Sequence, residues 1–308
     1  MGGIAMKTKG KTRRIAVTGW QDRVMYAFTD TMLVIIFIII AYPLIYVLSS
    51  SFSSGPAVSA GRVVLWPVDF TLNGYRIVFS YKSVWTGFAN SLFYTVAGAT
   101  FDLLLTVLAA YPLSRPDFKG RKFYTTLFLI TMLFSAGLIP KYILMVNLRL
   151  TNTRWALILA GAFSTYRTVV MRTFFKVNIP GELFDSAKID GCSEFRCLTK
   201  IVLPLSHAII AVTAMFAAVA NWNTYFTAII YLRKPELLPL QVVLREVLVA
   251  QNVDLTQITD AETLAMMTGS ADVMKFSLIV VTTVPIVIIY PFIQKYFQKG
   301  VMIGSVKG

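Results

Sequence analysis

Charge is scarce in this sequence. Asp, Glu, Lys and Arg make up 14% of its 308 residues, where soluble domains carry roughly 25%. Acids are scarcer than bases: 15 Asp and Glu against 29 Lys and Arg leave a formal net charge of +14. Only isolated acids occur, so there is no carboxylate cluster of the kind a metal site or an acid–base pair requires. The two cysteines, Cys192 and Cys197, exclude a disulfide framework or a four-cysteine zinc site and read as reduced thiols. The one histidine, His207, has no Ser, Cys or carboxylate pattern beside it, which makes it a helix-end residue before a catalytic base. Gly10-Lys11-Thr12 has the ending of a phosphate-binding loop, but Ala5 stands where the first glycine is required and no strand precedes it. The phosphate-binding reading is therefore rejected. The basic start (Lys7, Lys9, Lys11, Arg13, Arg14) has no adjacent apolar core or small-residue cleavage site, so the first apolar run reads as a retained anchor.

What is abundant is apolar. Hydrophobic residues reach 56%, mean hydropathy is +0.67, and the apolar residues fall in blocks. Crossing roughly 30 Å of hydrocarbon takes about 20 mainly apolar residues in a helix. Six stretches qualify or come close: Phe28–Ser50, Gly87–Leu113, Tyr124–Asn147, Trp155–Phe175, Leu205–Ile230 and Phe276–Gln294. The fourth is weakest, because Arg167 and Arg172 interrupt it. The expected fold is an all-α membrane protein of about six transmembrane helices.

The basic residues sit at the ends of the apolar stretches, which argues for topology and against nucleic acid, whose binders gather Lys and Arg on one soluble face. Placing the N-terminus inside gives inner segments eighteen Lys and Arg and outer segments ten, with Arg167 inside a span. Positive charge favours the cytoplasmic side, so both the segment 1–27 and the tail 295–308 are expected there. The loop 176–204 is then cytoplasmic. Phe52–Thr86 and Leu232–Lys275 are outer segments long enough to fold.

The loop 176–204 carries the most specific pattern. It reads Ile179-Pro180-Gly181-Glu182-Leu183-Phe184-Asp185-Ser186-Ala187-Lys188-Ile189-Asp190-Gly191 and closes on Ile201-Val202-Leu203-Pro204. Pro180 suits a first helical turn, Glu182 and Asp185 complement its positive end, and Gly191 permits a left-handed cap. A second amphipathic helix, Ser193–Leu203, runs into the fifth stretch. On these grounds alone the loop is a helix–turn–helix on the membrane face, or an ordinary solvated loop.

This segment resembles the EAA loop of binding-protein-dependent importers of the ATP-binding-cassette type. Asp185-Ser186-Ala187 occupies the Glu-Ala-Ala positions, keeping the acid and the small size. Gly191 matches the glycine, and Ile201, Leu203 and Pro204 match the close. Ala110-Tyr111-Pro112-Leu113-Ser114-Arg115 and Asn221-Trp222-Asn223 are similar to the carbohydrate-permease branch, and Gly304-Ser305-Val306-Lys307-Gly308 to a permease tail that reaches between the ATPases. Within that branch the chain is most similar to permeases for complex oligosaccharides, including alginate and pectin or xylan fragments.

The resemblance implies a permease of the bacterial cytoplasmic (inner) membrane that is not itself an enzyme. Glu182, Asp185, Ser186, Ala187, Gly191, Ile201, Leu203 and Pro204 would couple it to ATPase motion. The implied partners are a second permease subunit, two ATPase subunits, an extracytoplasmic solute-binding protein, the oligosaccharide and lipid. This chain would bind no cofactor and no metal; ATP and Mg would sit on the ATPase.

Two groups are candidates for the pathway. In the second stretch Ser91, Thr95, Gly98, Asp102 and Thr106 share one helix face, and a carboxylate there must point into the bundle. That face either lines the pathway or packs helices. In the fifth, Asn221, Trp222, Asn223 and Tyr225 combine amides with aromatics, as sugar sites do; the alternative is an interfacial aromatic belt. Arg167 is read as snorkelling to the interface, with pairing to an acid or contact with an anionic substrate as the other readings. Rival functions are a multi-pass membrane transferase, which would need an acid, histidine or metal cluster, and an ion-coupled secondary transporter, which would not need the loop.

Overall fold

A computed structural model describes residues 19–134, 136–250 and 261–304, and among these every regular element is helical. The expectations for Ser305–Gly308, most of the basic N-terminal segment and part of the second outer segment lie outside the described residues. Helix α1 (Trp20–Ser51) has 32 residues. At about 1.5 Å per residue it exceeds the roughly 30 Å hydrocarbon layer. None of its apolar window is buried by the rest of the chain, an arrangement that suits lipid and not water. It joins the fold towards its end, where Tyr46 meets Phe276 of the last helix edge-on, Ser49, Ser50 and Ser51 are buried and Ser49 Oγ donates to the Leu65 carbonyl at 2.6 Å.

The short helices α2 (Gly55–Ser59) and α3 (Asn73–Ser80) follow, then α4 (Lys82–Ser114), the central helix. Next come α5 (Arg121–Leu133) and α6 (Leu138–Asn147), which meet at a bend of 112°. Gly137, at φ +77°, takes a left-handed conformation there that other residues adopt at a cost, and Pro140 sits in the first turn of α6, where its missing N–H matters least.

The fourth stretch is not one helix. It consists of α7 (Arg154–Ala160) and α8 (Thr165–Asn178). Ser164 caps α8 by accepting the Arg167 N–H, and such a cap starts a new helix instead of continuing the old one. The loop that follows holds α9 (Gly181–Ile189) and α10 (Glu194–Cys197), the latter continuing through a π-helical turn at Leu198–Val202 into α11 (Leu203–Leu205). Pro204 has no N–H to give an α-helical ladder, and wide turns of this kind are a usual response to such a break. The chain bends by 85° into α12 (His207–Trp222). The fifth stretch is also divided, because α12 ends at Trp222 and α13 (Phe226–Tyr231) begins after an unwound Asn223–Tyr225. After α14 (Leu240–Ala250), α15 (Ala261–Gly304) closes the bundle.

Among the described residues three helices can cross a membrane alone by length and composition, and five segments can if each bent pair is one span. The fourth expected stretch is the one divided between α7 and α8. Helix α4 packs against α8, α12 and α14, and α15 packs against α1, α2, α3 and α12. The segment that carries α2 is locked to α15 by Gly55 and Gly269: a Cβ on either would overlap the other's backbone. Small residues allow this close approach of helices where lipid supplies no hydrophobic drive.

Candidate functional site

The loop between α8 and α12 folds as its sequence suggests. Pro180 caps α9, and Glu182 lies in its first turn. At the other end the Cys192 N–H bonds to the Ala187 carbonyl at 2.9 Å and the Gly191 N–H to the Lys188 carbonyl at 3.1 Å. With Gly191 at φ +70°, this is a Schellman motif, which terminates α9 and reverses the chain. Ser193 then caps α10 by accepting the Arg196 N–H.

The hairpin has an inner and an outer face. Phe184, Leu198 and Val202 are buried against Val107, Ala110, Tyr111 and Met171, and Ala187 is buried as well. Glu182, Asp185 and Ser186 are exposed, and neither acid forms an ion pair among the described residues. Ile189 is 87% exposed and Phe195 71%. Large apolar side chains thus stand open beside carboxylates on this face of the hairpin. Ile201 and Leu203 are half-buried, and Pro204 is exposed.

One exposed charge on α9 is paired. Lys188 Nζ lies 2.6 Å from Asp117 Oδ2, and this hydrogen bond holds the Asp117 carboxyl below the usual carboxylate range. The contribution is present at neutral pH and fades as pH falls through that lowered value. An exposed pair of this kind adds little stability.

The polar face of α4 packs inside the chain. The Leu240 N–H donates to Ser91 Oγ at 2.8 Å, and Asn90 Nδ2 donates to the Glu236 and Leu238 carbonyls at 2.7 and 3.1 Å. At Gly98 a Cβ would overlap the Asn221 amide. Asp102, wholly buried, receives Arg167 Nη2 at 2.8 Å. Arg167 therefore does not snorkel: an acid within reach on the neighbouring helix offers its charge more than a distant interface does.

The Asn221–Tyr225 group does not act as one wall. Trp222 is 4% exposed, stacks edge-on against Phe88 at 5.7 Å and donates its indole N–H to the Thr282 carbonyl at 3.0 Å. Its place is the core, which satisfies the one polar atom of a large apolar side chain. Asn221 of α12 lies against Gly98 of α4 and donates to the Ala217 carbonyl at 2.8 Å. Asn223 and Tyr225 are exposed, Tyr225 by 46%, where α12 and α13 part.

Comparison with known proteins places this geometry. A family profile described as "Binding-protein-dependent transport system inner membrane component" matches residues 15–303. The chain belongs to that family. It is 39% identical over 93% of its length, and 98% of the other chain, to the polygalacturonan/rhamnogalacturonan transport system permease protein YtcP of Bacillus subtilis. Protein LplC of the same organism is 40% identical over 86% of this chain and 89% of its own. A bacterial ABC transporter involved in the import of the acidic polysaccharide alginate has a chain that superposes with a TM-score of 0.81. That chain is 34% identical, with 91% of this one and 99% of that one covered.

As a member of the inner-membrane component family, this is a permease subunit of a binding-protein-dependent importer, a transport subunit and not an enzyme. Importers of this kind combine permease, ATPase and solute-binding protein. The pairings that organise the loop escape sequence inspection: Arg115 and Lys188 stand in motifs of their own, but no motif joins them to Asp117 or Tyr111 to Glu194. The one signal in the sequence is that Arg115 and Asp117 follow directly on the apolar end of α4.

Proposed function

We propose that this permease imports acidic oligosaccharides, driven by ATP hydrolysed on two ATPase subunits beneath a permease heterodimer. The observation that carries the substrate class is the pair of relatives named for polygalacturonan/rhamnogalacturonan and for alginate. Galacturonan and alginate share a uronic-acid backbone although the two polymers differ in sugar and linkage. The solute-binding protein docks on the face bearing α2, α3 and α14. The ATPases meet the hairpin α9–α10 through Glu182, Asp185, Ile189 and Phe195. Both termini then lie on the ATPase side, as the distribution of Lys and Arg supports, and the tail Gly304–Gly308 reaches the ATPases.

Along the pathway, Asn223 and Tyr225 offer an amide and an open ring face where α12 unwinds. An amide bonds sugar hydroxyls, and the ring covers the apolar face of a sugar. The test is uptake by vesicles holding the full complex and its binding protein, with ion gradients collapsed and ATP present or absent. Labelled galacturonate and alginate oligomers are the acidic probes, and maltodextrins and arabino-oligosaccharides the neutral ones. ATP-dependent uptake of an acidic probe supports the reading. Uptake of neutral probes alone removes the substrate class, and uptake that follows an ion gradient without ATP removes the mechanism.

A further inference from the structure

The hairpin is joined to the bundle covalently at two places, and at both the helix is interrupted. Ile179 and Pro180 are extended between α8 and α9, and the chain bends by 85° between α11 and α12. A push on the exposed face of α9 therefore needs another route into the membrane helices.

Non-covalent contacts supply one. Tyr111, near the end of α4, donates its hydroxyl to Glu194 Oε2 of α10 at 2.6 Å. Arg115, just beyond α4, sets its guanidinium 3.7 Å from the centre of the Phe184 ring of α9. Its Nε lies 3.5 Å from Asp117 Oδ1, and the other Asp117 oxygen takes Lys188. Phe184 and Lys188 stand four residues apart, so they present one face of α9. Behind the same segment, Arg172 Nε donates to the Leu113 carbonyl at 3.0 Å. The grip thus holds both arms of the hairpin at three points. Arg115 is itself only 7% exposed, and a buried cation needs partners of this kind to stay in place.

We infer that Tyr111, Arg115 and Asp117 are positioning residues, a clamp that makes α4 and the α9–α10 hairpin move as one body. The inference rests on the proposal that this hairpin meets the ATPase. Because α4 is the helix against which α8, α12 and α14 pack, motion of the hairpin reaches the centre of the bundle without passing along either interrupted joint.

The test is a distance measured in the full complex in its nucleotide-free and ATP-trapped states. Spin labels go on Leu104→Cys, on an exposed face of α4, and Ile189→Cys, with Cys192→Ser and Cys197→Ala as background. With the clamp intact the label separation is the same in both states. In Tyr111→Phe/Asp117→Asn, which spares the core, it shifts or broadens on trapping. Asp117→Lys alone also loosens it, and adding Lys188→Asp restores the narrow distribution, which a merely structural defect would not do. A separation that changes with the clamp intact, or stays equally narrow in the double variant, overturns the inference. The mobility of the Ile189 label on adding the ATPase reports separately on the proposal beneath it. If mobility does not fall, the hairpin is not the ATPase contact, and both readings go.

Discussion

Arg167 of α8 and Asp102 of α4 form an ion pair at 2.8 Å between two helices, with the carboxylate wholly buried. Charges taken from water into such a place cost several kcal/mol each, and their attraction offsets that cost only while both are present. Removing one partner leaves the other stranded. Arg167→Met or Asp102→Leu alone is expected to cost about 3–5 kcal/mol, whereas the double variant is expected to be close to neutral. Thermal unfolding of the detergent-purified complex checks this. Single variants as stable as the parent would mean that the pair contributes nothing.

The same pair shows what sequence can and cannot tell. The 3.6-residue period places Asp102 on an inward face of α4, and that is where it lies. The period of α4 says nothing about α8, so Arg167 has to be read alone, and snorkelling is then the natural answer. Spans read by hydropathy fare likewise: α1, α4 and α15 follow their apolar runs. The breaks at Gly137, between α7 and α8, and after Trp222 come from caps and tertiary contacts that a hydropathy window averages away. The hairpin is legible because its signals are local: a proline at its start, a left-handed glycine at its turn and an apolar stripe on one side.

Gly191 gives a direct check on the hairpin. Proline there would need φ near −65° where the chain has +70°, and would delete the N–H bonded to Lys188. Alanine would only strain the turn, by about 1 kcal/mol. Gly191→Pro is expected to raise the ATP hydrolysed per sugar imported several-fold, with Gly191→Ala in between. Equal ratios in all three proteins would rule the turn out of coupling.

Topology is checked by fusing a reporter that works only in the cytoplasm. Fusions after Lys122 and Lys188 are expected to be active, and those after Arg62 and Lys234 silent, following the bias of basic residues towards the first two sites. An active reporter at Arg62 would invert the arrangement of the whole chain.

Gly98 tests the packing of α4 on α12. Any side chain there overlaps the Asn221 amide, which is already bonded to Ala217. Gly98→Val is expected to lower stability by about 1–3 kcal/mol, the usual cost of overpacking, and Asn221→Ala in the same chain should recover part of it. Additive effects would show that the two positions do not meet.

The division of the Asn221–Tyr225 group makes the sharpest test of the pathway. Trp222 is core, so Trp222→Ala should cost about 3–5 kcal/mol, as large truncations in packed interiors do, and lower the yield of complex. Asn223 and Tyr225 are exposed, and alanine at either should leave unfolding unchanged. If they touch sugar, the hydrogen bond or ring face that each supplies is worth on the order of 1 kcal/mol. Uptake should then fall several-fold, while ATP hydrolysis in the absence of substrate stays as it was, since only steps with sugar in the channel feel the change. Tyr225→Phe separates the two parts of the tyrosine's role. It keeps the ring face and removes the hydroxyl, so near-normal uptake would assign the effect to stacking, and a decrease equal to that of Tyr225→Ala would assign it to the hydrogen bond. Unchanged uptake in both Asn223→Ala and Tyr225→Ala would remove this part of the pathway, and leave the permease assignment, which rests on the family match, untouched.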